Sequence, residues 1–231
     1  MFKYFISIAA ILTCFVSSAQ GENEIKKDSI TYKQTYGLRA GIDLASLIRT
    51  SMDDEYTGFQ ILADYRLSKR LYLAGEIGNE SLDRRSERID YKTSGSFIKA
   101  GVDYNMYQNW LDMDNMIYAG ARLGYANMSQ TLHRYDYSTD NNYFPVFTNV
   151  VDREFSGLHM IWLEIQLGIK VEVLNNVYLI ANFQLKHQLT EKTPDNFDNL
   201  YVPGYGKTFD TGNIGVGYSY GIMYRIPFFK K

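Results

Sequence analysis

The chain has 231 residues, with 20 tyrosines and 13 phenylalanines, only 4 prolines and a formal net charge of −2 at pH 7. This near balance of charge argues against a nucleic-acid partner. The length fits one all-β domain, and the aromatic content favours strands over helices.

The N-terminus has the composition of a secretory signal peptide. Lys3 precedes an apolar run over residues 5–16, and Ser-Ser-Ala follows at 17–19. The pattern predicts a signal peptide at residues 1–19, because the run is too short for the roughly 20 residues of a spanning helix. The only cysteine, Cys14, lies in this segment, so the mature chain has no disulfide. Residues 20–34 are polar and predict a flexible periplasmic leader.

Bulky side chains then occupy every second position in eight segments, which predicts eight β-strands with two different faces. In the sixth segment, for example, Ile161 and Leu163 alternate with Trp162 and Glu164. The segments are 38–44, 59–66, 71–77, 98–106, 117–125, 161–172, 179–186 and 214–228.

The links between these segments differ in length. Short links follow the second, fourth and sixth segments, whereas most of the others are longer, the longest being about 130–156 and 190–211. This asymmetry is typical of an all-β, eight-stranded, antiparallel up-and-down transmembrane barrel over residues 35–231, with periplasmic termini. A soluble, lipocalin-like barrel is the alternative, with apolar residues inward and charges in water.

The polar face favours the transmembrane barrel. Glycines such as Gly101, Gly120 and Gly217 weaken a strand, but they make room for long neighbours in a narrow lumen. On this face the cations are Arg39, Arg66, Lys99, Arg122, Lys170, Lys186 and Arg225, and the anions are Asp43, Asp64, Glu76, Asp103, Glu164 and Glu172.

Aromatic residues also gather at segment ends, as the two interfacial girdles of a membrane barrel would. The groups are Tyr104, Tyr107 and Trp110; Tyr224, Phe228 and Phe229; and Tyr56, Phe59 and Tyr91 at the outer ends.

Several stretches together resemble an uncharacterised family of outer-membrane β-barrel proteins of Bacteroidota. They are YGLRAGIDL (36–44), GFQILADYRLSKRLYLAGEIGNE (58–80), IKAGVDYNMYQNWL (98–111), LGIKVEVLNNVYL (167–179), KTPDNFDNLYVPG (192–204) and YRIPFFKK (224–231). The resemblance implies an outer-membrane barrel that the barrel-insertion machinery assembles. It implies no activity and no catalytic residue. The terminal aromatic usual in small barrels is here followed by two lysines.

An eight-stranded barrel is just wide enough for side chains to fill, so the balanced charges favour an ion-paired plug. A narrow water-filled pore lined by the same charges is the alternative. In a plug, each buried charge needs a partner.

Enzymatic alternatives rest on few residues. His133 with Asp136 and Asp140 could act as bases of a surface hydrolase, and His159 beside Ser156 could belong to a lipid-modifying enzyme. Neither set has the spacing of a known catalytic motif, and no metal or cofactor motif is present. The sequence favours a structural or surface-binding role over catalysis.

The outer links contain aromatic residues among asparagines and aspartates, a composition typical of binding surfaces. Packing over the barrel mouth, or extension of the strands above the membrane, would explain them equally well. The expected partners are outer-membrane lipid and an extracellular ligand of unknown class. The residues are Tyr135, Tyr137, Tyr143, Phe144, Phe147, Tyr201 and Tyr205.

Overall fold

The computed structural model describes residues 35–107, 114–137, 147–208 and 212–230. The predicted signal peptide, the leader, Trp110, Asp140, Tyr143 and Phe144 lie outside the described residues. The elements are β1 (Thr35–Asp43), α1 (Leu44–Met52), β2 (Tyr56–Arg66), β3 (Leu71–Arg85), β4 (Ile89–Asn105), β5 (Met116–Tyr137), β6 (Phe147–Leu174), β7 (Val177–Lys192), β8 (Tyr201–Val202), β9 (Gly206–Lys207) and β10 (Ile214–Lys230).

Eight of the strands form one closed antiparallel barrel, and β8 and β9 form a separate two-stranded hairpin. Each barrel strand pairs with the next along the chain, and β10 closes the ring on β1 with Leu38 opposite Ile226. The predicted all-β, eight-stranded, antiparallel up-and-down barrel is therefore confirmed. We call the end where β1 begins and β10 finishes the terminal end, and the opposite end the distal end.

The length asymmetry between the two ends lies in the strands more than in the loops. The link predicted at 130–156 is mostly strand, because β5 has 22 residues and β6 has 28. The two strands pair as far as Tyr137 opposite Phe147, and the pairing of β6 with β7 begins only at His159. Residues 126–137 and 147–158, which we call the projecting hairpin, therefore extend past β7 at the distal end, while β5 stays paired with β4 as far as Tyr135.

The first distal link contains a helix that strand periodicity did not predict. Leu44 was expected on the outward face of the first strand, but it is the first residue of α1. Asp43 ends β1 and caps the helix, because its carboxylate accepts a hydrogen bond from the Ser46 backbone N–H at 2.9 Å. Among the described residues, no helix is long and apolar enough to cross a membrane.

The two faces of the barrel wall differ in chemistry as the alternation predicts. Polar and charged side chains on the inner face are buried, whereas the bulky apolar side chains on the outer face are exposed. The exposed outer residues include Ile61, Leu73, Ile77, Ile98, Leu123, Ile165, Leu167, Phe183, Leu185, Val216 and Ile222.

The aromatic residues at the segment ends do not all face outward. Phe59, Tyr104 and Phe228 are exposed on the outer face, but Tyr56 and Tyr91 are buried inside the distal end. The reason is parity, because Tyr56 shares the inward-facing register of Gln60.

Close strand approach at Gly101 gives a first prediction. A Cβ at this position would collide with the backbone carbonyl of Ala121, whereas a Cβ on Gly75 would meet only the Lys99 carbonyl at 3.5 Å. We expect Gly101→Ala to lower the free energy of unfolding by about 1–3 kcal/mol, as overpacking does. The matched Gly75→Ala should be nearly neutral in urea unfolding of the detergent-solubilised protein, and equal effects would contradict the assignment.

Candidate functional site

The lumen contains a continuous series of eight buried charged side chains, which we call the central network. Its members alternate in sign, and each is in ion-pair contact with the next. In order of contact they are Arg39, Asp64, Lys170, Asp103, Arg122, Glu76, Lys99 and Glu164.

In the first half of the central network, two aspartates bridge three cations. The Asp64 carboxylate accepts hydrogen bonds from Arg39 Nε at 2.6 Å and from Lys170 Nζ at 2.7 Å. Asp103 accepts from Lys170 Nζ at 2.9 Å and from the Arg122 guanidinium. These residues come from five different strands, so each of the ion pairs joins two strands of the wall.

The second half joins two glutamates through Lys99. Its Nζ lies 3.1 Å from Glu76 Oε2 and 3.2 Å from Glu164 Oε2, and Arg122 Nε lies 3.7 Å from Glu76 Oε1. Gln166 Nε2 donates to both glutamates, at 3.0 and 2.6 Å. A neutral donor thus adds hydrogen bonds to both carboxylates beside those from the cations, as buried charges require.

Tyrosine rings line the central network. The Arg39 guanidinium lies 4.6 Å from the centre of the Tyr72 ring and 5.3 Å from that of Tyr178, and Lys170 Nζ lies 4.6 Å from that of Tyr118. Cation–π attraction of this kind favours the charged side chains where water is excluded.

A second cluster of charged side chains, which we call the terminal cluster, lies at the terminal end. Arg66 Nη1 lies 3.3 Å from Asp114 Oδ1, Arg225 pairs with the same carboxylate, and Arg225 Nη2 lies 3.4 Å from Glu172 Oε1. Asp114 comes from the link before β5, so sequence alternation alone could not place it here.

Two of the predicted lumen charges stand apart from both clusters. Asp43 caps α1 and also accepts from Ser219 Oγ at 2.6 Å. Lys186 donates to the backbone carbonyls of Gly204 at 2.8 Å and Tyr205 at 3.1 Å. Both residues therefore attach a distal segment to the barrel wall.

The segment that Lys186 holds is the plug hairpin, residues 198–208, which contains β8 and β9. Glu80 accepts from the Tyr201 hydroxyl at 2.6 Å and from the Gly204 N–H at 3.0 Å. Gln130 accepts from the Leu200 N–H at 2.9 Å and donates to the Asp198 carbonyl at 3.0 Å. Three strands thus bind its backbone from inside the barrel mouth.

Apolar contacts also hold the plug hairpin in the barrel mouth. Val202 and Tyr205 pack in a buried cluster with Phe97, Met160 and Trp162. Gly204 has a φ of +75°, and a Cβ there would lie 2.5 Å from the Phe97 ring, so the tip of the hairpin requires glycine.

Tyr201 and Tyr205 were considered as exposed binding residues, but they are only 5% and 2% exposed. They pack inside the mouth because their hydroxyls find partners there, Glu80 and the Asn213 carbonyl. Tyr135 is exposed on the projecting hairpin, where Tyr137 and Phe147 end β5 and begin β6 as strand residues and not as a loop.

The turn at 86–88 is fixed to the projecting hairpin by Arg134. Its Nε donates to Asp90 at 3.0 Å, and its Nη2 donates to the Ser86 carbonyl at 2.9 Å. Hydrogen bonding to Arg134 lowers the pKa of the Asp90 carboxyl, and the same bond raises the pKa of Arg134. Charge thereby holds the turn between β3 and β4 to the outer part of the projecting hairpin.

His133 and His159 each contact a residue other than those considered with them as catalytic groups, and Asp140 lies outside the described residues. His133 Nδ1 contacts Asp152 at 2.6 Å, whereas Asp136 pairs with Arg134. His159 stacks against Tyr125, with ring centres 6.4 Å apart. In the described part of the chain, no three histidines, cysteines or carboxylates are grouped to hold a metal ion.

A family model described as "Domain of unknown function (DUF6048)" matches residues 1–231. No curated protein matches the chain. In shape, the chain is similar to the attachment invasion locus protein Ail of Yersinia pestis, with a TM-score of 0.40, 10% identity and coverage of 83% of this chain and 97% of that one. It is also similar to Neisserial surface protein A, with a TM-score of 0.42, 15% identity and coverage of 83% and 96%.

The central network predicts that removing one partner is costly. Arg122→Leu leaves Asp103 with Lys170 alone, and Glu164→Leu leaves Lys99 with Glu76 alone. We expect each change to lower the free energy of unfolding by about 3–5 kcal/mol, because a buried pair loses one partner and the network is left with one uncompensated charge.

The control for both changes is Arg84→Leu, which removes the exposed pair with Glu55. This pair should contribute little, since water screens it. Urea denaturation in detergent provides the comparison. If the buried and exposed substitutions were equally mild, the central network would not be an important source of stability.

Proposed function

We propose that this chain, which belongs to the DUF6048 family, is a small outer-membrane β-barrel protein with a closed lumen and a structural or surface-binding role. The single observation that carries the proposal is the inverted placement of polar and apolar side chains. The central network is buried, while large apolar side chains are exposed around the barrel wall.

Water would not favour that arrangement. Side chains such as Ile77, Leu123 and Leu167 are each more than half exposed, and soluble monomers rarely expose large apolar patches. A lipid bilayer instead favours apolar side chains outside and polar side chains inside a closed barrel. Closure also matters, because it leaves no unpaired strand edge to face lipid.

The predicted signal peptide at residues 1–19 and the leader at 20–34 fit a chain that is secreted through the inner membrane before the barrel inserts. Its partners during and after assembly would be the insertion machinery and outer-membrane lipid. The terminal end would then face the periplasm and the distal end the exterior, in a bacterium of the Bacteroidota as the resemblance implies.

A closed lumen is supported at three levels. The terminal cluster, the central network and the plug hairpin follow one another along the barrel, and each joins several strands. An open channel would need hydrated charges, whereas the charges of the central network are each at most 7% exposed. Solute passage would therefore require several buried ion pairs to break.

The surface role is assigned to the projecting hairpin. It extends past the neighbouring strand β7 and exposes Val150, Val151 and Tyr135. Exposed apolar and aromatic side chains on a paired strand surface suit an external macromolecular ligand better than a solute.

Cysteine labelling tests the membrane location and the orientation together. The only native cysteine, Cys14, lies in the predicted signal peptide, so each variant would carry a single mature thiol. We expect Val150→Cys, on the projecting hairpin, to react with a membrane-impermeant maleimide on intact cells. Ser68→Cys, in the link between β2 and β3, should react only after the outer membrane is permeabilised.

The same experiment requires cells that have an outer membrane. The protein should be recovered from their membrane fraction. Labelling of both positions on intact cells, or recovery of the protein in the soluble fraction, would overturn the proposed location.

A further inference from the structure

A cavity of about 290 Å³ lies between α1, β10 and the plug hairpin. Its volume is just below the roughly 300–1,000 Å³ of small-molecule pockets. Arg49, Tyr56, Glu80, Lys186, Tyr201 and Gly217 are among the residues that line it. Nothing in the closed-barrel account uses this space.

The inner face of β10 keeps the cavity open. Gly215, Gly217 and Ser219 lie there, opposite residues of β7 that carry long side chains. A Cβ on Gly217 would lie 2.9 Å from both Gln184 Oε1 and Lys186 Nζ. A larger side chain at position 217 would therefore occupy the space beside the Lys186 ammonium.

Lys186 differs from the other buried lysines. Lys99 and Lys170 each pair with two carboxylates, but the described residues provide no ion pair to Lys186. Its Nζ donates only to two neutral carbonyls, Gly204 O and Tyr205 O. Since an ammonium has three N–H donors, one remains, on a cation that is only 6% exposed.

The acids that line the cavity are already satisfied. Glu80 accepts from the Tyr201 hydroxyl and the Gly204 N–H, and Asp43 accepts from the Ser46 N–H and the Ser219 hydroxyl. Both carboxylates are thus engaged by neutral donors, whereas an N–H of Lys186 has no acceptor among the described residues, so a further acceptor group in the cavity would bond to Lys186.

Arg49 adds a second cation at the edge of the cavity. Its guanidinium lies 3.8 Å from the centre of the Tyr56 ring, and its Nε is 3.5 Å from Asp53 Oδ2. The Arg49 side chain is 41% exposed, so the cavity reaches solvent beside a positive charge. Positive charge at an entrance attracts anions.

We propose that this cavity binds a small anion through a carboxylate or phosphate group, with Lys186 donating its remaining N–H to an anion oxygen. Tyr56 and Tyr201 provide the wall against which the rest of the ligand lies. The group could belong to a free solute or to a lipid headgroup. The inference rests on the fold and not on the proposed membrane location, since protein refolded in detergent suffices to test it.

Calorimetric titration of the refolded chain in an uncharged detergent, with inorganic phosphate and separately with acetate, is the direct test. We expect saturable binding that Lys186→Met weakens at least tenfold. Gly217→Leu should weaken it similarly, because it fills the cavity without changing charge. Lys69→Met, which removes an exposed lysine between β2 and β3, is the matched control and should leave binding unchanged.

Native mass spectrometry distinguishes the two sources of the anion. Protein extracted from phosphatidylcholine vesicles that contain phosphatidylglycerol would retain one phosphatidylglycerol if the site takes a headgroup, and Lys186→Met would abolish retention. Saturation by phosphate or acetate without lipid retention would assign a free solute. Binding that survives both cavity substitutions, or no binding by any of the three probes, would overturn the proposal.

Discussion

The structure depends on one constraint, which is that charges enclosed in a narrow barrel must neutralise one another. The central network meets it with four cations and four anions in alternating contact. A barrel of eight strands has room for these side chains and little else. Because the partners come from six strands, the charges also fix how the strands are arranged around the lumen.

The mouth of the barrel follows the same rule with different groups. There the plug hairpin supplies backbone carbonyls to Lys186 and N–H groups to Glu80 and Gln130. The hairpin therefore acts as part of the polar interior as well as a loop. Under the proposed function, the surface for recognition is mainly the projecting hairpin, while the small space left inside lies beside Lys186.

Much of this arrangement could be predicted from the sequence, because alternation in a strand fixes which side chains share a face. The strand count and the inward parity of residues such as Arg39 and Glu164 follow from period two, and the up-and-down antiparallel order follows from the lengths of the links. The pairing of particular charges does not follow, since it depends on register and on which strands face each other across the lumen.

The elements that the sequence did not predict are those without period two. Helix α1 follows from a capping interaction of Asp43, and the plug hairpin is held by contacts to residues more than 60 positions away, such as Gln130 and Glu80. Tyr201 and Tyr205 belong to a segment whose composition is typical of a surface loop. They are buried because this segment packs inside the barrel mouth.

The most direct test of the account is the conductance of the refolded protein in a planar lipid bilayer, with insertion verified by protection of the barrel from protease. If ion pairs and the plug hairpin close the lumen, the inserted protein should show no steady conductance steps over the accessible voltage range. Steady, voltage-tolerant steps from the inserted protein would show that the buried charges line a water-filled path, and would contradict the closed barrel.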